Sequence, residues 1–136
     1  MPIVVNVVSQ EDYDEWLGAK QIEAAEIKEL MAQTFAMDEL MERGEAVYAR
    51  ACLACHGANG EGGLGNAIKG SVVATGDLAG HLDIGINGVP GTAMQAFGGQ
   101  LNDVDMAAVI TYQRNAFGNN MGDLVQPIDV YNHKKG

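Results

Sequence analysis

The chain has 136 residues, enough for one domain with a modest core, and 47% of them are apolar, so a folded state is expected. Aromatic residues make up only 6%, which leaves few large rings to fill that core. A net charge of −10 argues against a nucleic-acid partner, and no apolar run approaches the roughly 18 residues that a membrane-spanning helix needs.

The acidity is concentrated early: residues 1–43 hold ten acids against three bases, residues 44–118 six against three, and residues 119–136 balance. A solvated acidic helix and a docking surface explain that bias equally well. The opening residues, Met1 to Val8, are apolar but lack the basic flank and length of a signal peptide.

Ile3 to Val8, rich in Val and Ile with one Asn, reads as a short buried strand. Ser9 with Asp12 three places on resembles a capping box, so a helix is expected to start there, anchored by Trp16 and Leu17. Residues 18–36 are dominated by helix formers with a thin apolar face and read as a mobile helical connector. From about Asp38 to Cys52, Leu40, Met41, Gly44, Val47, Tyr48, Ala51 and Cys52 fall on one helical face. Gly44 costs such a helix up to about 1 kcal/mol relative to Ala, which a close helix crossing would explain.

Residues 57–100 are Gly-rich and loop-like, with short helical turns expected around 78–87. A last helix is expected from about Asn102, a good N-cap, to Phe117, with Leu101, Val104, Ala108, Tyr112 and Ala116 as its stripe and Gly118 as its end. Gly44 and Tyr48 should cross Val109 and Tyr112. Residues 119–136 read as an extended or frayed tail.

The chemistry lies at Cys52-Leu53-Ala54-Cys55-His56. Cys-x-x-Cys-His is the attachment sequence for a c-type haem. Two thiols one helical turn apart can add to the two vinyl groups of a porphyrin edge, and the adjacent imidazole then lies beneath the iron. Its Nε2 coordinates, while Nδ1–H needs an acceptor, expected among the backbone carbonyls of Gly57–Gly65.

Three rivals compete with this reading. A redox dithiol would want a βαβ context. A zinc site would want a second cysteine pair. A disulfide would leave the Gly-rich stretch without a core, whereas a haem gives it something to wrap.

For the far side of the iron, Met94 sits in a loop stiffened by Pro90 and loosened by Gly88 and Gly91. A thioether there would raise the potential and occupy the position open to small ligands. His81 is the alternative, giving a bis-histidine haem of lower potential; otherwise His81 and His133 read as ordinary surface histidines. Met31, Met37, Met41, Met106 and Met121 have blander roles, as gap fillers or exposed residues. Trp16 reads as a packing anchor.

With these motifs in place, residues 37–118 resemble the class I cytochromes c: Gly44-x-x-x-Tyr48-x-x-x-Cys52, the Cys52–His56 box, the Pro90/Met94 loop, and Leu101 to Asn119 with Tyr112-Gln113-Arg114. That resemblance implies an all-α shell around one covalent haem c, with crossing terminal helices and His56 and Met94 as axial ligands.

A wider resemblance covers nearly the whole chain. Met1 to Ser9 is similar to the last strand of the copper domain in cytochrome c oxidase subunit II, and Glu11–Leu17 to the helix that follows it. Lys69-Gly70-Ser71, Pro90 to Gly98, Leu101-Asn102-Asp103 and Val125-Gln126-Pro127 are similar to the cytochrome fused to that subunit in some bacteria. The implied division is 1–17 as copper-domain remnant, 18–36 as linker, 37–118 as cytochrome and 119–136 as tail.

Met1 would match either the copper-ligand Met or a start residue. The copper cysteines and histidine are absent, so no copper is expected here. The chain reads as a piece of subunit II, exported to the periplasmic side of the bacterial inner membrane, where haem c is normally attached.

The function this resemblance implies is electron transfer, from a donor cytochrome c or similar carrier to the dinuclear copper centre of a haem–copper oxidase. No catalytic constellation is visible, so the fragment alone would be a carrier within an oxidase rather than an enzyme. An independent periplasmic mono-haem cytochrome c is the alternative, and a haem enzyme or gas sensor with an open sixth position is a third class.

Overall fold

In the computed structural model, which describes residues 2–136, the chain divides into two compact units, Met1–Ala32 and Gln33–Gly136. Among the described residues every regular element is a helix, as the all-α expectation requires.

The first unit is nearly one helix, α1 (Gln10–Ala32). Ser9 starts it as its sequence promised: Ser9 Oγ accepts the Asp12 N–H at 3.1 Å and donates to the Asp12 carboxylate at 2.6 Å. The division expected between residues 17 and 18 falls inside this single helix. No residue of α1 is buried, and Trp16 is 54% exposed, stacked only on Tyr13 at 5.8 Å between ring centroids. Trp16 therefore anchors no core here.

Ile3–Val8 does not form the expected strand; Ile3, Val4, Val5 and Val7 lie open to solvent. A strand needs a neighbour to take its backbone hydrogen bonds, and the other described elements are helices. The reading of Met1 lies outside the described residues.

The second unit is built around α2 (Met37–Ala51) and α5 (Asp103–Asn115). Gly44 is the crossing point. A Cβ there would overlap the Ala108 carbonyl oxygen and lie 2.6 Å from Tyr112 Cβ, so only glycine lets the backbones approach this closely. Arg43 and Arg50 clamp the same pair of helices by both binding Asp105, at 2.7 and 2.6 Å.

α5 is more central than its expected stripe. Met106 to Ile110, Thr111, Gln113 and Arg114 are all buried, a helix enclosed on most sides. It is capped as expected by Asn102, whose Oδ1 accepts the Asp105 N–H at 2.8 Å. α4 (Leu78–Asn87) packs against it through Leu82 and Ile86, and is capped by Asp77.

The tail corrects the expectation of an extended end. Residues 127–135 form α6 (Pro127–Lys135), with Pro127 and Val130 fully buried. Thr111 Oγ1 accepts the Val125 N–H at 3.0 Å, and Gln126 exchanges two hydrogen bonds with the Phe35 backbone, at 2.9 and 3.0 Å. Proline at the first helical position and Asp129 accepting the Gln126 N–H start α6.

Candidate functional site

α2 delivers Cys52 at its C-terminal end, and the short α3 (Leu53–His56) carries Cys55 and His56. The N–H groups of Cys55 and His56 both donate to the Cys52 carbonyl, at 3.1 and 3.0 Å, closing one turn. The structure therefore brings the three motif residues together. The two thiols are not bonded to each other. Cys52 is half-buried and Cys55 exposed. Burial, with the neighbouring Cys55 second, pushes the Cys52 thiol up to about 11.

His56 Nδ1 lies 2.7 Å from the Asn66 carbonyl oxygen. The acceptor is a backbone carbonyl, as expected, but one residue past the expected span. This bond places the proton on Nδ1 and leaves the Nε2 lone pair for a metal. The loop is held tightly to the motif: Gly65 N–H donates to the Cys55 carbonyl at 2.8 Å and Gly62 N–H to that of His56 at 2.7 Å. A Cβ at Gly65 would lie 2.9 Å from His56 Cε1, so glycine there keeps the imidazole where it is.

Tyr48 braces the turn from the other side. Its hydroxyl donates to the Gly57 carbonyl at 2.7 Å, and its ring sits against Tyr112 and Phe117, 5.7 and 5.2 Å between centroids. Burial and the adjacent Cys52 raise its phenol to about 12, so it remains a donor. Asn119, expected in a loose tail, ties the far end of the loop to α5. It accepts the Gly70 N–H at 2.7 Å and donates to the Gln113 carbonyl at 2.7 Å.

Met94 is half-buried in the loop after α4. Its carbonyl accepts the Val89 N–H at 2.9 Å and its N–H donates to Thr92 Oγ1 at 3.1 Å, so the loop is a self-bonded turn. Phe97 and Gly98 N–H groups then pin it to the α4 carbonyls of Gly85 and Ile86.

His81 is not the surface residue expected: it is 5% exposed, with Nε2 bonded to Gln113 Oε1 at 2.9 Å. Burial pushes its pKa down to about 4, so it is a neutral core imidazole. His133 is half-buried, 3.9 Å from Asp83. A surface groove of about 860 Å³ beside it, between α4, Gly98–Gly99 and α6, involves none of the motif residues.

The residues present fit a covalent haem. Two unpaired thiols share a turn with an imidazole whose Nδ1 is already committed, and Gly65 clears the ring. The Gly-rich chain of residues 57–77 places only Ile68 and Ala74 in the apolar core, so it is a wrapper rather than a core element. Sequence reasoning missed Asn66, which acts through a backbone carbonyl with no side-chain signature, and Gln113, whose role depends on which helices meet.

An all-helical fold of this form, with this motif at the end of its first core helix, defines a cytochrome c-type electron-transfer domain. The family model for the cbb3-type cytochrome C oxidase subunit III matches residues 39–112, more than half of the chain, and the chain belongs to that family. Such a domain implies covalently bound haem c, and the two cysteines of the sequence fit one. Among curated proteins, the dihydro-heme d1 dehydrogenase of Pseudomonas aeruginosa is 36% identical over 69 residues. That stretch is 51% of this chain and 14% of the relative, so the chain spans only a small part of that protein's length. No helix among the described residues is long and apolar enough to cross a membrane.

Proposed function

We propose that this chain holds one haem c, bound through thioethers at Cys52 and Cys55 with His56 and Met94 as axial ligands, and serves as an electron-transfer domain of a cytochrome c oxidase. The observation that carries this reading is the Cys52–His56 turn with His56 Nδ1 held by the Asn66 carbonyl. A bound haem supplies a one-electron iron couple. The chain's own residues hold the imidazole in one tautomer, brace its turn through Tyr48, and keep the Met94 loop fixed to α4. Met94 is favoured over His81 because the Nε2 of His81 is already bonded to Gln113 inside the core.

Within that reading, the finer role is that of the cytochrome domain of subunit II, with residues 1–17 a remnant of its copper domain, 18–36 a linker and 37–118 the cytochrome proper. The domain would lie on the periplasmic side of the bacterial inner membrane. It would take electrons from a donor cytochrome c or similar carrier and pass them to the dinuclear copper centre. The exposed Ile3–Val8 segment supports this: β-forming residues without a partner suit a strand whose sheet lies in the rest of a larger protein. The second reading, an independent periplasmic mono-haem cytochrome, would leave that segment without a purpose.

The test is expression with a haem c attachment system, followed by pyridine haemochrome spectroscopy and carbon monoxide titration. One haem per chain, still attached after denaturation, with no carbon monoxide binding at neutral pH until Met94→Ala is introduced, is the expected result. Absence of covalent haem, or ready carbon monoxide binding by the unaltered protein, overturns it. Electron transfer to a separately prepared subunit II copper domain tests the finer role.

A further inference from the structure

α4 and α5 each contribute one buried polar side chain to a line that reaches Cys52, the first residue of the motif, at the C-terminal end of α2. His81 on α4 is bonded through Nε2 to Gln113 Oε1 on α5 at 2.9 Å, and Gln113 Nε2 lies 3.7 Å from Cys52 Sγ at the end of α2. His81 and Gln113 are 5% and 8% exposed. We propose that Gln113, locked by His81, is a positioning residue for the first attachment sulfur: its amide N–H orients Cys52 Sγ for thioether formation and holds it afterwards. This inference rests on the haem reading above.

The direction of the line carries the argument. A free thiol can donate or accept, but a thioether can only accept. An amide presenting its N–H₂ to the sulfur therefore keeps its hydrogen bond through the reaction, whereas one presenting its carbonyl would lose it.

That orientation requires a donor on the other side of the amide, and His81 supplies one as the Nε2–H tautomer. His81 Nδ1 is buried without a hydrogen-bond partner, as befits a lone pair that no donor reaches. Burial keeps His81 neutral against the hydrogen bond to Gln113; of the charged groups acting on it, Arg114 works with burial and Asp123 against it. Attachment itself needs no oxidant: the thiol adds across a vinyl group, an S–C bond replaces the S–H bond, and the hydrogen ends on the neighbouring vinyl carbon.

A bland alternative is that His81 and Gln113 only satisfy each other within the core. Two variants separate the readings. Gln113→Met removes the donor to sulfur but strands His81. The double variant His81→Phe/Gln113→Met replaces both partners with apolar groups of similar bulk, which tends to preserve stability. Each is matured alongside the unaltered protein, melted, alkylated with a maleimide after denaturation, and digested for mass spectrometry.

The expected result is that the double variant folds and takes up haem through Cys55, yet a substantial share of its molecules carries an alkylatable Cys52 and a red-shifted haemochrome band. Gln113→Met should show the same loss. Full Cys52 thioether in the double variant, or in Gln113→Met if the double variant does not fold, overturns the proposal. Absence of haem from the unaltered protein overturns the haem reading instead.

Discussion

α1 and α5 are both regular helices, but they exist for different reasons. α1 is 23 residues of good helix formers with a Ser9 cap and buries nothing. Its stability is local, a sum of propensity, capping and pairs such as Lys20–Glu23. α5 is shorter, contains the β-branched Val109, Ile110 and Thr111, and is buried along most of its length. Contacts with α2, α4 and α6 keep it helical. Damage to α1 should therefore stay where it is made, and damage to α5 or its partners should reach the haem motif.

The sharpest way to break this contrast is at the motif. His56→Ala should abolish a correctly ligated haem spectrum, read by optical absorption of protein matured in cells, since Nε2 has no substitute within the turn. Next comes the crossing. Gly44→Val drives a side chain into the Ala108 carbonyl, and overpacking at such a contact costs about 3 kcal/mol or more. Thermal melting should fall steeply, and an unchanged melt would mean that the helices do not meet at Gly44.

His81 gives a pH test of comparable size. Its folded pKa, about 4, lies below the ordinary value of 6.5. The unfolded chain therefore binds the proton first as pH falls, and the native state loses stability from the ordinary value down to about 4, beyond which the penalty levels off. The full loss is about 3 kcal/mol. His81→Phe/Gln113→Met should remove that part of the acid limb in denaturant titrations, and an identical acid limb would count against a buried neutral His81.

Asp105→Asn should cost about 1 kcal/mol at low salt and less at high salt, since it loosens two partly exposed ion pairs. Burial alone would raise the Asp105 pKa, but hydrogen bonds from Arg43 and Arg50 hold it below the usual range. This contribution is present above the ordinary carboxylate pKa and disappears as pH falls through the lowered one.

The smallest global effect belongs to α1. Ala24→Gly should cost that helix about 1 kcal/mol. Far-ultraviolet circular dichroism should register lost helicity while the main melting transition stays in place; a shifted transition would show that α1 is not self-contained.

Local chemistry made much of this protein legible in its sequence. Cys52-x-x-Cys-His56 needs only consecutive residues on one turn, Asn102 and Ser9 cap helices through their own side chains, and Gly44 on an apolar face signals a crossing because only a close neighbour justifies a glycine there. Tertiary structure decided the rest, since those outcomes depend on partners distant in the chain. Ile3–Val8 has β-forming residues but no neighbouring strand. Residues 127–135 look polar and terminal, yet become α6 because Val125, Pro127 and Val130 find an apolar surface. His81 reads as a surface residue until α5 places Gln113 beside it. The acceptor for His56 is a backbone carbonyl, a group every residue carries, so only the path of the loop could select Asn66.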